Sequence, residues 1–166
     1  MRKIRSAQHE ADIWVAADVY KDEGEEHCDF MLELMMTGIS AKEREYVDLY
    51  LHHIRHQRTA FLLAHGDCID NEWKYFDGGK ACSVQKWIRR RERDYGLLII
   101  ASCNPGAHTP TSCRSLIMIP DAVLSGIRMS LGECKMSLIH PKHGEMSYII
   151  EHELAEIKHR IGGAAR

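Results

Sequence analysis

The sequence predicts an α/β protein, a three-layer sandwich whose mainly parallel sheet carries helices on both faces. Two observations predict this class. Short, almost unbroken apolar runs, typical of strands buried on both faces, alternate with longer segments of helical period. Strands separated by helices favour right-handed crossovers and parallel pairing. The 166 residues suffice for one core, so residues 1–166 are interpreted as a single domain.

The elements are predicted from apolar period and from capping residues. Residues 21–29 are interpreted as an acidic loop, and residues 30–36 as a short helix or strand. The clearest helix has Ser40 as its N-cap, and Glu43, three residues later, completes a capping box. The predicted strands cover residues 11–20, 59–66, 96–103, 114–121 and 134–141. The predicted helices cover residues 39–57, 81–95 and 147–161, residues 122–132 could be helical, and residues 68–79 are a loop or short hairpin.

Charge and cysteine content limit the classes of function. The formal net charge of -2 gives no electrostatic reason to expect nucleic acid or an anionic membrane as a partner. The basic run RRRER at 89–93 is interpreted as a solvated helix end. No stretch approaches the roughly 20 apolar residues of a membrane span, and the first residues lack the apolar region of a secretory signal. The six cysteines are irregularly spaced without a CxxC pair, which predicts free thiols in the cytoplasm.

Reactive side chains follow two predicted strands directly. FLLAHG ends in His65 and Gly66, and LLIIASCNPG ends in Cys103 with Gly106 three residues later. Because sites in parallel α/β folds lie beyond the carboxyl ends of the strands, these residues and Asp18 are expected on one rim. An imidazole beside a thiol lowers the thiol pKa and protonates the leaving group, which predicts a nucleophilic Cys-His pair. The glycines allow tight backbone turns, and a backbone N–H near Gly66 could face an oxyanion.

The order of these two blocks, FLLAHG before LLIIASC, resembles the caspase-like cysteine peptidases, a superfamily that includes caspases, metacaspases, gingipains, legumains and separase. The resemblance spans about residues 11–125 in architecture and only these two blocks in motif. It implies an α/β sandwich, a catalytic dyad of His65 and Cys103, and cleavage of a peptide or protein after an acidic or basic residue. The Asn-Pro-Gly turn after the cysteine departs from the short Ser-Gly or Arg-Gly turn of many members.

Two other interpretations stay open. His65 and Cys68 have the His-x-x-Cys spacing of zinc ligands, with Cys103 and Asp18 as further candidates, and the block HGDC loosely resembles the ligand pair of beta-type carbonic anhydrases. Such a zinc site would activate water for hydrolysis or hydration. Alternatively, Cys103 packs in the core, His65 bonds a backbone carbonyl, and the chain is a non-enzymatic interaction module. The sequence does not indicate an oligomeric state.

Overall fold

The computed structural model describes residues 1–104, 113–120, 136–140, 144–145 and 150–163. The strands are β1 Arg2–Ser6, β2 Ala11–Val15, β3 Thr59–Leu63, β4 Gly66–Ile69, β5 Glu72–Asp77, β6 Lys80–Ser83, β7 Leu97–Ala101, β8 Leu116–Pro120, β9 Met136–His140 and β10 Gly144–Glu145. The helices are α1 Ala17–Thr37, α2 Ala41–Ile54, α3 Val84–Arg89 and α4 Ile150–Gly163. The possible helix at 122–132 and the turn with Gly106 lie outside the described residues.

Seven strands form one mixed sheet in the order β1-β2-β3-β7-β8-β9-β10. Its four central strands, β2, β3, β7 and β8, are parallel to one another. The strands β1, β9 and β10 pair antiparallel at the two edges. The predicted α/β class is therefore confirmed. The last predicted strand, β9, runs antiparallel to its neighbour β8.

Apolar side chains cover both faces of the central strands. On one face, Phe61, Leu63 and Ile99 pack in a cluster with residues of α1, α2 and α4. On the other face, Leu62 and Ile100 pack in a second cluster with residues of α3 and β5. All five side chains are at most 5% exposed, and each contributes about 1.5–3 kcal/mol by its burial. This double burial explains why β3 and β7 read as continuous apolar runs rather than as alternating ones.

Helix α1 begins where the sequence predicted a continuing strand and an acidic loop. Strand β2 ends at Val15, and residues 17–37 are helical. The predicted strand over residues 16–20 and the loop over 21–29 are therefore wrong. The segment is rich in Glu, Met and Leu, whose summed helix propensity is high, and Asp18 in the first turn interacts favourably with the helix dipole.

Helix α2 has the capping box that the sequence predicts. The Ser40 side chain accepts a hydrogen bond from the Glu43 N–H, and the Glu43 carboxylate accepts one from the Ser40 N–H at 3.0 Å. Helix α2 then packs against α4, where the fully buried Tyr46 donates its hydroxyl hydrogen bond to Glu153 at 3.0 Å. Two exposed ion pairs also join these helices: Lys42 with Glu151 and Lys158 with Glu45.

The region between β3 and α3 contains more strand structure than the sequence predicts. Strands β4, β5 and β6 form a separate three-stranded antiparallel sheet, whereas the sequence predicts a loop or short hairpin there. Positive φ angles at Asp70, Asn71, Gly78 and Gly79 form its two turns. Residues 80–83 belong to β6, so α3 covers only residues 84–89 of the predicted helix 81–95.

The described helices include none that could cross a bilayer, because no window in them is both long enough and apolar enough.

Candidate functional site

Three chain segments meet at the carboxyl ends of the central strands, and we call them the carboxyl rim. They are residues 16–18 after β2, residues 64–66 after β3 and residues 102–104 after β7. Parallel pairing aligns these strand ends, since Val15 lies opposite Leu63 and Leu63 lies opposite Ala101. The rim therefore contains the ends that the sequence predicts to carry the site.

His65 and Cys103 occupy equivalent positions on neighbouring strand ends. His65 is two residues beyond Leu63, and Cys103 is two residues beyond Ala101, the partner of Leu63 in the ladder. The pairing continues past the strands, because the Ala64 N–H donates to the Ala101 carbonyl at 3.1 Å. Paired strands lie about 4.8 Å apart, so the two segments that carry the imidazole and the thiol are direct neighbours.

Gly66 lies against the segment that contains the cysteine. A Cβ at position 66 would collide with the Ser102 hydroxyl oxygen and with the Cys103 carbonyl oxygen, and would stand 3.1 Å from the Lys74 carbonyl oxygen. Ser102 is 2% exposed, and its Oγ has no hydrogen-bond partner among the described residues. Glycine is therefore required by close approach. Gly66 is the first residue of β4, and the positive-φ glycines of the described residues are Gly78 and Gly79.

The small sheet fixes the backbone on both sides of the rim. The Trp73 indole N–H donates to the Cys103 carbonyl at 2.9 Å, and the Phe76 N–H donates to the His65 carbonyl at 2.9 Å. Asp77 accepts from the Ala17 N–H at 2.9 Å, which gives α1 the side-chain cap that its own N-cap residue, Ala16, lacks. Residues on β5 therefore hold the ends of β2, β3 and β7 in place.

The Phe76–His65 bond also orients the Gly66 amide. It makes His65 and Phe76 a hydrogen-bonded pair of the antiparallel ladder, whose next pair is Gly66 and Tyr75. Pairs in such a ladder alternate between bonded and non-bonded, so Gly66 and Tyr75 form a non-bonded pair. The Gly66 N–H therefore points away from β5.

The thiol and the imidazole differ in their accessibility. Cys103 is half-buried and His65 is exposed. Cys68 and Cys82 on the small sheet are half-buried as well, whereas Cys113 is buried. Burial raises the pKa of Cys113 to about 11, which keeps this thiol protonated at neutral pH. Of the half-buried cysteines among the described residues, Cys103 is the one that lies on the rim.

The four residues considered as zinc ligands belong to different elements: Cys68 to β4, Asp18 to α1, and His65 and Cys103 to the segments after β3 and β7. Cys68 lies on β4 opposite Trp73, and its N–H donates to the Asp67 carboxylate at 2.8 Å. Asp18 lies in the first turn of α1, where its carboxylate accepts from the Gly79 N–H at 3.3 Å. Among the residues with described positions, no group of three or more His, Cys, Asp or Glu side chains is arranged to hold a metal ion.

A second polar cluster, at the opposite end of the parallel strands, was not anticipated from the sequence. Asp12 on β2 is 4% exposed and accepts hydrogen bonds from Arg5 and Arg58 at 3.1 Å and from Tyr95 at 2.5 Å. Lys3 Nζ lies 3.1 Å from the same carboxylate. Burial raises the pKa of Asp12, but the hydrogen bonds from Tyr95, Lys3 and Arg5 outweigh it and hold that pKa well below its usual value.

The basic run at 89–93 is only partly solvated. Arg89, Arg90 and Arg93 are exposed, as the sequence predicts. Arg91 instead lies over the rings of Trp14 and Trp87, with its guanidinium carbon 4.2 and 4.3 Å from their centroids. Desolvation between these rings lowers the Arg91 pKa to about 10.

No protein-family model matches the sequence, and a search of curated proteins also gave no match.

Proposed function

We propose that the protein is a cysteine hydrolase that cleaves a peptide or protein substrate, with Cys103 as the nucleophile and His65 as the general base and acid. The observation that carries this proposal is the register of β3 and β7, which gives the two residues equivalent positions on adjacent parallel strands. The order of the blocks, with the histidine strand before the cysteine strand, agrees with the caspase-like resemblance. A three-layer sandwich, with α1, α2 and α4 against one face of the sheet and α3 with the small sheet against the other, is part of the same proposal.

The alternation of side chains along the strands supports this pairing. Phe61 and Leu63 on β3 and Ile99 and Ala101 on β7 belong to the same core cluster. Side chains alternate between the faces of a sheet, so Leu63 and Ala101, the last residues of the two strands, lie on the same face. The segments that carry His65 and Cys103 therefore leave the sheet from paired strand ends, and the bend at Ser102 sets the direction of the Cys103 segment.

In the proposed reaction, the imidazole takes the thiol proton and the thiolate attacks the substrate carbonyl. A thioester forms, and the protonated imidazole donates its proton to the leaving amine. Water then attacks the thioester with the imidazole as base, which releases the acid product and restores the thiol. The Gly66 N–H points away from β5, which is the strand paired with β4, and we assign it as the oxyanion donor.

Selective alkylation tests the activated thiol. At about pH 6 an ordinary thiol of pKa ~8.5 is almost entirely protonated, so a thiol that reacts quickly is activated by its surroundings. Cys68 and Cys82 are the matched controls, because they are half-buried as Cys103 is. We expect iodoacetamide to label Cys103 at least about tenfold faster than either control, because the thiolate is the form of cysteine that reacts. Labelling of Cys103 at the rate of Cys68 and Cys82 would refute the proposed pair.

Substitutions then test the role of the imidazole and the reaction. His65→Ala should abolish the selective labelling, whereas His53→Ala, which removes an exposed histidine of α2, should not. Cys103→Ala and His65→Ala should each abolish hydrolysis of a peptide library while leaving the circular dichroism spectrum and melting temperature unchanged. Hydrolysis that persists in either folded variant would contradict the mechanism. Full activity after treatment with a chelator would favour the cysteine mechanism over the zinc alternative.

A further inference from the structure

Strand β1 is an edge of the main sheet. It stands at one end of the strand order, and β2 is the strand that pairs with it among those described. An edge strand presents a row of backbone N–H and C=O groups on its outer side, which is a template for another extended chain. The edge is five residues long, from Arg2 to Ser6.

Cations border this edge on one face of the sheet. Lys3 lies opposite Trp14 and Arg5 lies opposite Asp12 in the ladder, and Arg58 approaches the same carboxylate from the start of β3. The side chains of Lys3, Arg5 and Arg58 are 49%, 53% and 52% exposed. These three cations share the single negative charge of Asp12. Two positive charges are therefore left, along with guanidinium and ammonium N–H groups that exceed the two carboxylate oxygens.

The charges disfavour pairing between two copies of this chain. A ladder between two β1 strands would bring basic side chains of one copy close to those of the other, and like charges across a ladder are destabilising. Nucleic acid could use the cations but not the backbone edge. An extended peptide with acidic side chains uses both, because its backbone continues the ladder and its carboxylates meet the cations.

We propose that β1 is a docking edge for an acidic, extended segment of a partner protein, which adds to the sheet as a further strand. Side chains at alternate positions of the added strand share a face, so two acidic residues separated by one residue would lie beside Lys3 and Arg5. The residue between them would lie beside Ile4, which is half-buried and packs on the core cluster of α1 and α2. The expected segment is therefore acidic-apolar-acidic. Strands β2 and β3 separate this edge from β7, which leads to Cys103, and the proposal does not depend on the hydrolase.

Binding of short fluorescent peptides tests this proposal. The probe is Thr-Glu-Val-Glu-Thr with blocked ends, which has the same pattern in either strand direction. The same peptide with N-methyl groups on both glutamates and on the valine is the matched control, because it keeps the charge but loses the N–H groups that could donate to β1 in either strand direction. Thr-Lys-Val-Lys-Thr reverses the charge. We expect the first peptide to bind with a Kd at least about tenfold lower than the other two. We also expect it to slow hydrogen exchange at amides of β1.

Protein variants complete the test. The Lys3→Gln and Arg5→Gln double variant should weaken binding of the first peptide about fivefold or more, as the loss of two exposed ion pairs predicts. Lys80→Gln, which removes an exposed lysine of β6, should leave the affinity unchanged. Equal affinity for the glutamate peptide and its N-methylated form would overturn the proposal, because the cations alone would then suffice. No binding of the glutamate peptide, or preferential binding of a single-stranded oligonucleotide, would overturn it as well.

Discussion

The substitution Gly66→Ala tests the close approach of the two strand ends that carry the proposed dyad. The added methyl group would overlap the Ser102 hydroxyl and the Cys103 carbonyl oxygen. The carbonyl is held by the Trp73 indole at 2.9 Å, so it has little freedom to move. Overpacking of this kind costs about 1–3 kcal/mol, and the reduced entropy of the unfolded chain offsets about 0.4–1 kcal/mol.

We therefore expect the free energy of unfolding to fall by about 1–2 kcal/mol, which lowers the melting temperature of a domain of this size by about 2–8 °C. Because the segment that moves contains Cys103, the rate of its alkylation at about pH 6 should also change. Thermal unfolding followed by circular dichroism and cysteine labelling followed by mass spectrometry measure the two effects.

Gly162→Ala is the matched control, because a Cβ at that position of α4 would meet nothing within 4 Å. The same substitution there should stabilise the helix by about 0.5–1 kcal/mol. Adding Ser102→Ala to Gly66→Ala removes one of the two overlaps and should restore part of the lost stability. A Gly66→Ala protein with wild-type stability and wild-type labelling of Cys103 would show that the two strand ends do not approach as described.

Two further predictions concern stability. Asp12→Asn should lower the free energy of unfolding at pH 7 by about 2–4 kcal/mol, because it leaves the surrounding cations without their carboxylate. The folded-state pKa of Asp12 is below its unfolded value of about 3.8, so its contribution is complete above pH 4 and is lost as the pH falls further. Urea unfolding should therefore show a smaller difference in the free energy of unfolding between wild type and variant at pH 3 than at pH 7. An equal difference at the two pH values would contradict a lowered pKa of Asp12. Ser40→Ala should cost about 1 kcal/mol in urea unfolding through the lost cap of α2, and a neutral result would show that the capping box is not stabilising.

The sequence predicted the parts of the fold that depend on neighbours along the chain. The capping box of Ser40 and Glu43 needs only a spacing of three residues, and β3 and β7 are continuous apolar runs. Their adjacency follows from the crossover between them, so the positions of His65 and Cys103 beyond the ends of neighbouring strands could be expected before the structure.

The parts that the sequence did not predict depend on distant partners. Strand β1 is mostly charged, and pairing with β2 makes it a strand. Asp12 stands inside an apolar run, and its partners Arg58 and Tyr95 lie 46 and 83 residues away. No local pattern encodes such contacts. Gly66 is a related case, because the sequence marks a glycine but does not distinguish a turn from a close approach of two segments.

The packing of α2 against α4 has a consequence for the order of folding. Tyr46 is fully buried, yet its hydroxyl partner Glu153 lies 107 residues further along the chain. Contacts so distant in sequence form late, because a long loop must close before they are made, and proteins dominated by them fold slowly. In a nascent chain that stops before α4, the part of α2 that packs on α4, including Tyr46, would be open to water. The nascent protein would then need to shield that part, by a chaperone or by transient self-contacts, until α4 is synthesised.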